Sequence, residues 1–505
     1  MAVAGVALAA VFLTKERSRT MPEVLRVAFP YSQPARFYEP TRIHLAPEYI
    51  FLENTFSPLI ELSPENATLQ KGIAEKWEWL GDELHLQIRK GLKTTDGHEI
   101  TADDAAFSLK RLLIRTANTH GNLKDLICGG VELRSIEDEC DGIRVEGKTL
   151  ILKVAGKSAF ILPMLTGIDF AIIPRVSVDP KTLDIIDYRN TSGPYYVSHD
   201  SERGEIELSV NPNHYHATRT APPKILLVPT DPKSKSASLE LFKSGSVDFI
   251  TTIDAVRPEK VFQLNQEMRD SVLHVTANIR TFALFFTDRG MRELSLDERL
   301  FLGKKAKEEL TRHFLKLPGY EEANQFFPLH GDGAIELERA KELAVRRPAV
   351  SDLGGKSILL SIVRVGDLST YKEILESAMP SVRVIEGKNA PTFEKYLDPL
   401  EMPHAFIGGP DTGFNEDISL ISYSLTAGLF GLTPEKRQRW LAEYMALPDK
   451  NDRLLKLRSL HGQALEEVTF MPMFSSPYTA LAREGWQINL SKILANNQLW
   501  LVNTN

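Results

Sequence analysis

Apolar and polar residues alternate in short runs along the first half of the chain, and these runs predict strands. The segment Val24–Phe29 predicts a strand close to the start. Leu84, Leu86 and Ile88 alternate with polar residues, which predicts a second strand with one buried face. Residues 205–210, 224–229 and 247–250 predict three further strands. This part of the chain is therefore expected to contain sheet.

A capped helix follows the strand that ends near Ile88. Asp96 and Gly97 form a typical turn sequence. Thr101 is followed three residues later by Asp104, and this spacing predicts a capping box in which each side chain binds the other residue's backbone N–H. The spacing of apolar residues beyond it is helical. The segment therefore predicts a strand, a turn and a capped helix.

Strands and helices remain interleaved along the rest of the chain, although helices become more frequent after Thr281. The fold class is therefore expected to be α/β, of a mixed α+β kind. A chain of 505 residues is too long for one hydrophobic core, so two or three domains are expected.

The first 13 residues are apolar and have the length of the hydrophobic region of a signal peptide. Lys15, Arg17 and Arg19 follow this run, although a secretory signal carries its positive charge before it. We expect residues 1–21 to be a signal peptide or N-terminal anchor with a linker, and the true start to lie upstream. The alternative is an apolar N-terminus without targeting function.

The net charge of −7 argues against a general nucleic-acid binder, which needs a basic face. The two cysteines, Cys128 and Cys140, leave two possibilities open. They form a disulfide in an oxidising compartment, or they are two free thiols.

Motifs for catalysis and cofactor binding are incomplete. The tripeptide 355–357 resembles the end of a phosphate-binding loop, but Val350 stands where the loop needs glycine. His214 and His216 offer two imidazoles without an evident third metal ligand, so a solvated loop is the competing interpretation. No enzymatic activity, cofactor or metal site is expected.

Two ordered sets of motifs resemble those of the family-5 solute-binding proteins, which bind oligopeptides, dipeptides, nickel complexes and related solutes. The first set occupies residues 72–77, 88–93, 96–97, 101–105 and 107–111, in the family's order and spacing. The second set occupies residues 191–195, 211–215 and 244–248, and residues 470–474 are similar to the family's closing segment. The likeness is good over about 24–250 and weak over 281–468.

The resemblance implies a two-lobed periplasmic-binding-protein-like architecture with an extra inserted domain and a hinge near Asn278 and Thr469. It divides the chain into domain I (22–51, 180–278 and 470–505), domain II (52–179) and domain III (279–469). It also implies the exported, periplasmic or cell-envelope substrate-binding component of an ABC importer. Such a component is monomeric, captures a peptide or another small solute, and delivers it to permease and ATPase subunits. A ligand-sensing module and a hydrolase on the same scaffold are the alternatives.

The resemblance also suggests where the ligand binds. Tyr31 and Ser32, which follow the first strand, are expected ligand contacts. Many peptide-binding members hold the α-amino group of the ligand with an aspartate in the third domain. Aligned on Phe414 and Asn415, that aspartate falls on a glycine here, and Asp411 lies two residues earlier. If the ligand is a peptide, we expect Asp411 to bind its amine, with Phe414 and Asn415 beside it.

Overall fold

The computed structural model describes residues 23–30, 33–43, 46–117, 123–157, 160–231, 234, 236–252, 257–327, 331, 333–362, 368–386, 402–409 and 431–504. Its strands are β1 (Val24–Phe29), β2 (Ile60–Leu62), β3 (Leu69–Lys71), β4 (Ala74–Leu80), β5 (Glu83–Ile88), β6 (Ile143–Glu146), β7 (Thr149–Lys153), β8 (Tyr195–Asp200), β9 (Ile206–Val210), β10 (Lys224–Pro229), β11 (Phe249–Thr251), β12 (Ser271–Val275), β13 (Arg280–Phe286), β14 (Glu321–Glu322), β15 (Ile358–Ile362), β16 (Val382–Glu386), β17 (Ala405–Gly408), β18 (Phe470–Ser476), β19 (Thr479–Arg483), β20 (Trp486–Ile488) and β21 (Val502–Thr504).

Its α-helices are α1 (Glu48–Thr55), α2 (Ala102–Arg115), α3 (Leu123–Ile127), α4 (Ile161–Met164), α5 (Ala237–Ser244), α6 (Pro258–Glu267), α7 (Asp288–Glu293), α8 (Leu296–Phe314), α9 (Leu337–Val345), α10 (Leu368–Ala378), α11 (Pro434–Ala446) and α12 (Lys450–Glu466). Strands and helices are interleaved, and the α/β class predicted from the sequence is confirmed.

Two large mixed sheets organise the molecule, and each contains three adjacent parallel strands. The first sheet has the strand order β12-β19-β11-β1-β10-β9-β8, in which β1 is parallel to both β10 and β11. The second sheet has the order β14-β18-β13-β17-β15-β16, in which β15 is parallel to both β16 and β17. We call the parts of the chain built on these sheets the first lobe and the second lobe.

The remaining large sheet, β4-β5-β7-β6, is antiparallel and packs with α2 in a unit that we call the insert (residues 58–172). Its strand β5 buries Leu84, Leu86 and Ile88, as the alternation predicts. At the start of α2, Thr101 N–H donates to Asp104 Oδ2 (2.9 Å), and Asp104 N–H donates to Thr101 Oγ1 (3.4 Å). The predicted strand, turn and capped helix are confirmed.

Buried ion pairing attaches the insert to the first lobe. Arg111 on α2 donates from both terminal nitrogens to the carboxylate of Glu39, which lies in the loop after β1. Both side chains are almost fully buried. Ser108 also exchanges hydrogen bonds with the backbone of Ile173, where the chain returns from the insert. The insert and the first lobe therefore form one packed body.

The two cysteines lie in the insert, and the structure joins them. Cys128 follows α3, Cys140 precedes β6, and their sulfur atoms are bonded across a Cα–Cα distance of 4.8 Å. Of the two possibilities that the sequence leaves open, the structure has the disulfide. None of the helices in the described part of the chain is long and apolar enough to cross a membrane.

The chain near the C-terminus contributes one strand to the sheet of each lobe. The strand β18 pairs with β13 in the second sheet, whereas β19 pairs with β11 and β12 in the first. The family resemblance implies a crossing near Thr469, whereas the strand pairing has the chain pass between the sheets from Ser476 to Thr479. A proline inside β18 does not prevent pairing, because Pro472 lies next to a register shift, where a missing N–H is tolerated.

Candidate functional site

The carboxyl ends of the parallel strands mark the candidate site on each lobe. In the first sheet β1, β10 and β11 end at Phe29, Pro229 and Thr251, and these ends share one edge because the strands are parallel neighbours. In the second sheet β15, β16 and β17 end at a common edge in the same way. Ligands of open α/β sheets bind outside the carboxyl ends of such strands. The segments that follow these six strands are therefore the candidate site.

All five residues predicted from the sequence belong to these segments. Tyr31 and Ser32 come directly after β1, and Asp411, Phe414 and Asn415 come after β17. The five lie outside the described residues, so their roles stay predictions. Their positions in the chain relative to the two strand ends agree with a site shared by the two lobes.

On the first lobe, backbone hydrogen bonds fix the points where the loops leave the sheet. Thr230 N–H donates to the carbonyl of Phe29 at 2.7 Å, so the chain after β10 stays beside the chain after β1. Thr252 N–H donates to the carbonyl of Thr479, and Thr479 N–H donates back to Thr252 Oγ1, each at 2.9 Å. The three loops therefore start from a rigid edge.

On the second lobe, a close approach at Gly409 fixes the start of the segment that carries Asp411. A Cβ atom at position 409 would lie 2.6 Å from two ring carbons of Phe282, which is too close for non-bonded carbon atoms. The ring of Phe282 cannot easily move, because it is buried and stacks on Phe474 with a centroid distance of 4.9 Å. Only glycine fits here without displacing the sheet.

Two crossings connect the lobes, and they lie side by side. The first runs from the end of β12 at Val275 to the start of β13 at Arg280, and the second contains Pro477. Thr276 N–H donates to the carbonyl of Tyr478 at 2.9 Å, and Tyr478 N–H donates to Thr276 Oγ1 at 2.8 Å. The position of the first crossing agrees with the predicted hinge at Asn278. A paired, two-strand connection allows rotation of one lobe against the other about a defined axis.

Beyond the crossings, a hydrogen bond joins the two lobes. Tyr320 of the second lobe donates its hydroxyl to Glu259 on α6 of the first lobe at 2.9 Å, and Arg257 lies 2.8 Å from the same carboxylate. Burial, aided by the negative charge of Glu259, raises the pKa of Tyr320 above its ordinary value. The phenol therefore stays protonated at physiological pH, and its hydroxyl continues to donate to Glu259.

The segment His214-Tyr215-His216 is a packed structural segment rather than a solvated loop. His214 is buried and lies 3.1 Å from Ser57 Oγ, and burial lowers its pKa well below the ordinary value. His216 donates to Glu61 at 2.9 Å and stacks on Trp500. Within the described part of the chain, no group of three His, Cys, Asp or Glu side chains has the geometry to hold a metal ion.

A small cavity of about 100 Å³ lies between α1, the insert and the C-terminal segment, and it was not anticipated from the sequence. Its wall includes Glu53, whose carboxylate accepts a hydrogen bond from Asn497 N–H at 2.7 Å. Burial raises the pKa of Glu53 to about 7, although the bond from Asn497 acts in the opposite direction. No short-range pattern marks Glu53, because its partner lies 444 residues further along the chain.

Comparison with known proteins agrees with this geometry. Residues 68–298 match the model of the middle region of bacterial extracellular solute-binding proteins, family 5. The resemblance predicted from the motifs is confirmed. A search of curated proteins found no match.

Several solved structures of bacterial binding proteins have the same fold. Haemophilus influenzae OppA in complex with RPPGFSPFR has a TM-score of 0.70 at 15% identity, over 95% of this chain and 99% of that one. A Pseudoalteromonas sp. SM9913 dipeptide-binding protein with Met-Leu has 0.72 at 13%, over 94% and 98%. Staphylococcus aureus NikA with Ni(L-His)2 has 0.67 at 13%, over 96% and 100%. At these identities the likeness shows the two-lobed fold.

The motif residues that resemble those of family 5 make structural contacts. At Gly193, a Cβ would lie 2.4 Å from the backbone of Thr55, so the chain can pass α1 only as glycine. Asp248 accepts from Arg26 Nε at 2.8 Å and from its Nη2 at 2.7 Å, which ties β11 to β1. Arg111 pairs with the buried Glu39, as described above. The motifs therefore identify the fold and do not identify the ligand.

Proposed function

We propose that this chain is the substrate-binding component of an ABC importer and captures a peptide or similar small solute between two closing lobes. The observation that carries the proposal is that each of two lobes has its own edge of parallel strands, and that the chain passes between the lobes at the two crossings, 276–279 and 477–478. A ligand that contacts both edges binds fully only when the lobes are together, so binding favours closure. The family-5 match over residues 68–298 supports the same proposal.

The division into domains I, II and III follows this proposal, with one adjustment. The strand pairing supports extending domain III to Ser476, because β18 belongs to the second sheet. Domain II corresponds to the insert, and its attachment through Arg111 and Glu39 supports its moving with domain I. The two lobes would then be domains I and II on one side and domain III on the other.

A peptide is the ligand class that we propose, with Asp411 as the partner of its α-amino group. A buried ammonium ion that lacks an anionic partner costs several kcal/mol, on the order of the usual desolvation penalty. The segment after β17 supplies Asp411 at one lobe, while Tyr31 and Ser32 follow β1 on the other. Phe414 and Asn415 complete the proposed contacts.

Calorimetry with synthetic peptides of two to nine residues tests the ligand class and its anchor. We expect binding to raise the thermal stability, because the ligand prefers the folded, closed state. Asp411→Asn should weaken peptide binding about 10- to 100-fold, and acetylation of the peptide amine should weaken it similarly, since both remove a buried charge pair. Asp417→Asn is the matched control, because Asp417 lies six residues further along the same segment. Tight binding that depends on the free amine but not on Asp411 would show that another residue holds it.

The proposed partners are two permease subunits and two ATPases at the membrane, with the binding protein itself a monomer outside the cytoplasmic membrane. An exported location agrees with the disulfide Cys128–Cys140, since disulfides persist in oxidising compartments. Fractionation of cells that express the gene with its upstream sequence tests this location. Recovery of the chain exclusively in the cytoplasm would contradict it.

A further inference from the structure

An aromatic contact joins the insert to the second lobe, at a place different from the two crossings. Phe160 lies directly before α4 in the insert, and Tyr444 lies on α11 in the second lobe. Their ring centroids are 6.4 Å apart and their planes are almost perpendicular, at 88°. Phe160 is 5% exposed and Tyr444 is 0% exposed, so water does not separate them.

The surroundings of this contact are apolar on both sides. In the insert, Ile161 and Met164 of α4 are buried beside Phe160. In the second lobe, Trp440 stacks on Tyr444 with a centroid distance of 5.2 Å, and Met445 is buried next to it. These side chains belong to one hydrophobic cluster that is continuous between the insert and the second lobe. Separation of the lobes would expose both rings to water.

Each partner is held firmly in its own lobe. Phe160 belongs to the insert, which the buried pair of Arg111 and Glu39 fastens to the first lobe. The helix α11 is tied to α12 by the ion pair between Glu443 and Lys456 at 2.7 Å. The helix α12 packs in turn on β18 of the second sheet through the common hydrophobic cluster. The contact therefore joins two bodies whose covalent links are the crossings alone.

We propose that Phe160 and Tyr444 form an interlobe latch, which favours the closed arrangement before any solute is bound. The proposal rests on the proposed function, in which the lobes close on a solute. It adds a contribution to the free energy of closure that does not depend on the ligand. Burial of an edge-to-face aromatic pair stabilises the closed state relative to the open one by a factor on the order of tenfold. The latch would thereby lower the part of the solute's binding free energy that is needed to close the lobes.

Distance measurements between spin labels, without any solute, test the latch. Leu80 in the insert and Leu455 on α12 are 53% and 64% exposed, and both natural cysteines are bonded to each other, so Leu80→Cys and Leu455→Cys provide two unique labelling sites. We expect a dominant short distance in this labelled protein. Tyr444→Ala should lower the ratio of short to long distances about tenfold. Tyr444→Phe is the matched control, and it should leave the distribution unchanged because it keeps the ring.

A second variant separates opening of the lobes from local damage to α11. Phe160→Ala removes the other ring and leaves the contact of Tyr444 with Trp440 in place, so it should shift the distances as Tyr444→Ala does. Circular dichroism checks that both variants stay folded. Unchanged distances in both alanine variants would overturn the latch. The measurement needs no ligand, so a failure of the chain to bind peptides would leave its result intact and would count against the proposed function alone.

Discussion

Thr276 and Tyr478 hydrogen-bond to each other at the point where the chain passes between the two lobes. Thr276 donates its N–H to the carbonyl of Tyr478 and accepts the N–H of Tyr478 on its hydroxyl oxygen, at 2.9 and 2.8 Å. The two crossings are 202 residues apart in sequence, and this exchange makes them one connection. Any rotation of the lobes must therefore occur in the few residues on either side of the pair.

Replacement of Thr276 by valine should weaken this connection. The valine keeps the shape of the side chain but leaves the buried N–H of Tyr478 without its acceptor, at a cost of about 1–3 kcal/mol of unfolding free energy. Thr276→Ser, which keeps the hydroxyl, should retain most of the stability. Urea unfolding of the two variants measures the difference. Equal losses in both would show that the hydroxyl does not carry the effect.

Replacement of Arg111 by methionine should strongly destabilise the protein. Glu39 would keep the hydrogen bonds from Thr41 and the more distant Arg115, whose Nε lies 3.7 Å away, but a buried carboxylate that loses its main charged partner costs about 3–5 kcal/mol. Arg144→Met is the control, since the pair of Arg144 with Glu83 is open to solvent and is expected to contribute little to stability. Similar losses in the two variants, measured by urea unfolding, would contradict the structural role of the buried pair.

Replacement of Gly409 by alanine should destabilise the second lobe and displace the segment that carries Asp411. The new methyl group would overlap the ring of Phe282, and overpacking of a sheet core costs about 1–3 kcal/mol. Gly408→Ala provides the comparison, because its Cβ would meet its nearest atom at an ordinary 3.5 Å. We expect lower thermal stability and weaker peptide binding for the variant at position 409 than for the one at 408. The reverse order would refute the steric argument.

The pKa of Glu53 predicts a pH dependence of stability. Its folded value of about 7 lies above the ordinary 4.5, so between these values the folded chain binds a proton that the unfolded chain does not. Stability from this group is therefore present below about pH 4.5 and is lost as the pH rises through 7. Glu53→Gln cannot ionise, so the wild type should lose stability relative to this variant between pH 5 and pH 8. Parallel curves of urea midpoint against pH would contradict the assignment.

Local features of the fold could be predicted from the sequence, because they depend on neighbours in the chain. The alternation at Leu84, Leu86 and Ile88 and the capping box of Thr101 with Asp104 both act within a few residues, and the structure contains them. The motif containing Arg111 resembles the family's, but the partner of Arg111 is Glu39, which lies 72 residues away in the sequence and is brought to it by packing alone.

Features that depend on distant packing could not be predicted in this way. The second crossing falls at Pro477 rather than near Thr469, because strand pairing with β13 continues through β18. The sequence around Phe160 and the sequence around Tyr444 contain no pattern that predicts their contact. The pairing of Cys128 with Cys140 was one of two open possibilities, and the fold decides it by bringing both residues together in the insert. The site residues Tyr31, Ser32, Asp411, Phe414 and Asn415 remain predictions from the family resemblance.

Native mass spectrometry tests whether the chain captures a small solute. The folded protein would be incubated with a mixed peptide digest, passed through a desalting column and sprayed without denaturation. We expect an added mass of one peptide for each chain, which is released as free peptide on unfolding, and we expect Asp411→Asn to retain less peptide. A chain of unmodified mass after incubation with peptides, nickel–histidine complexes and a cell extract in turn would contradict the claim.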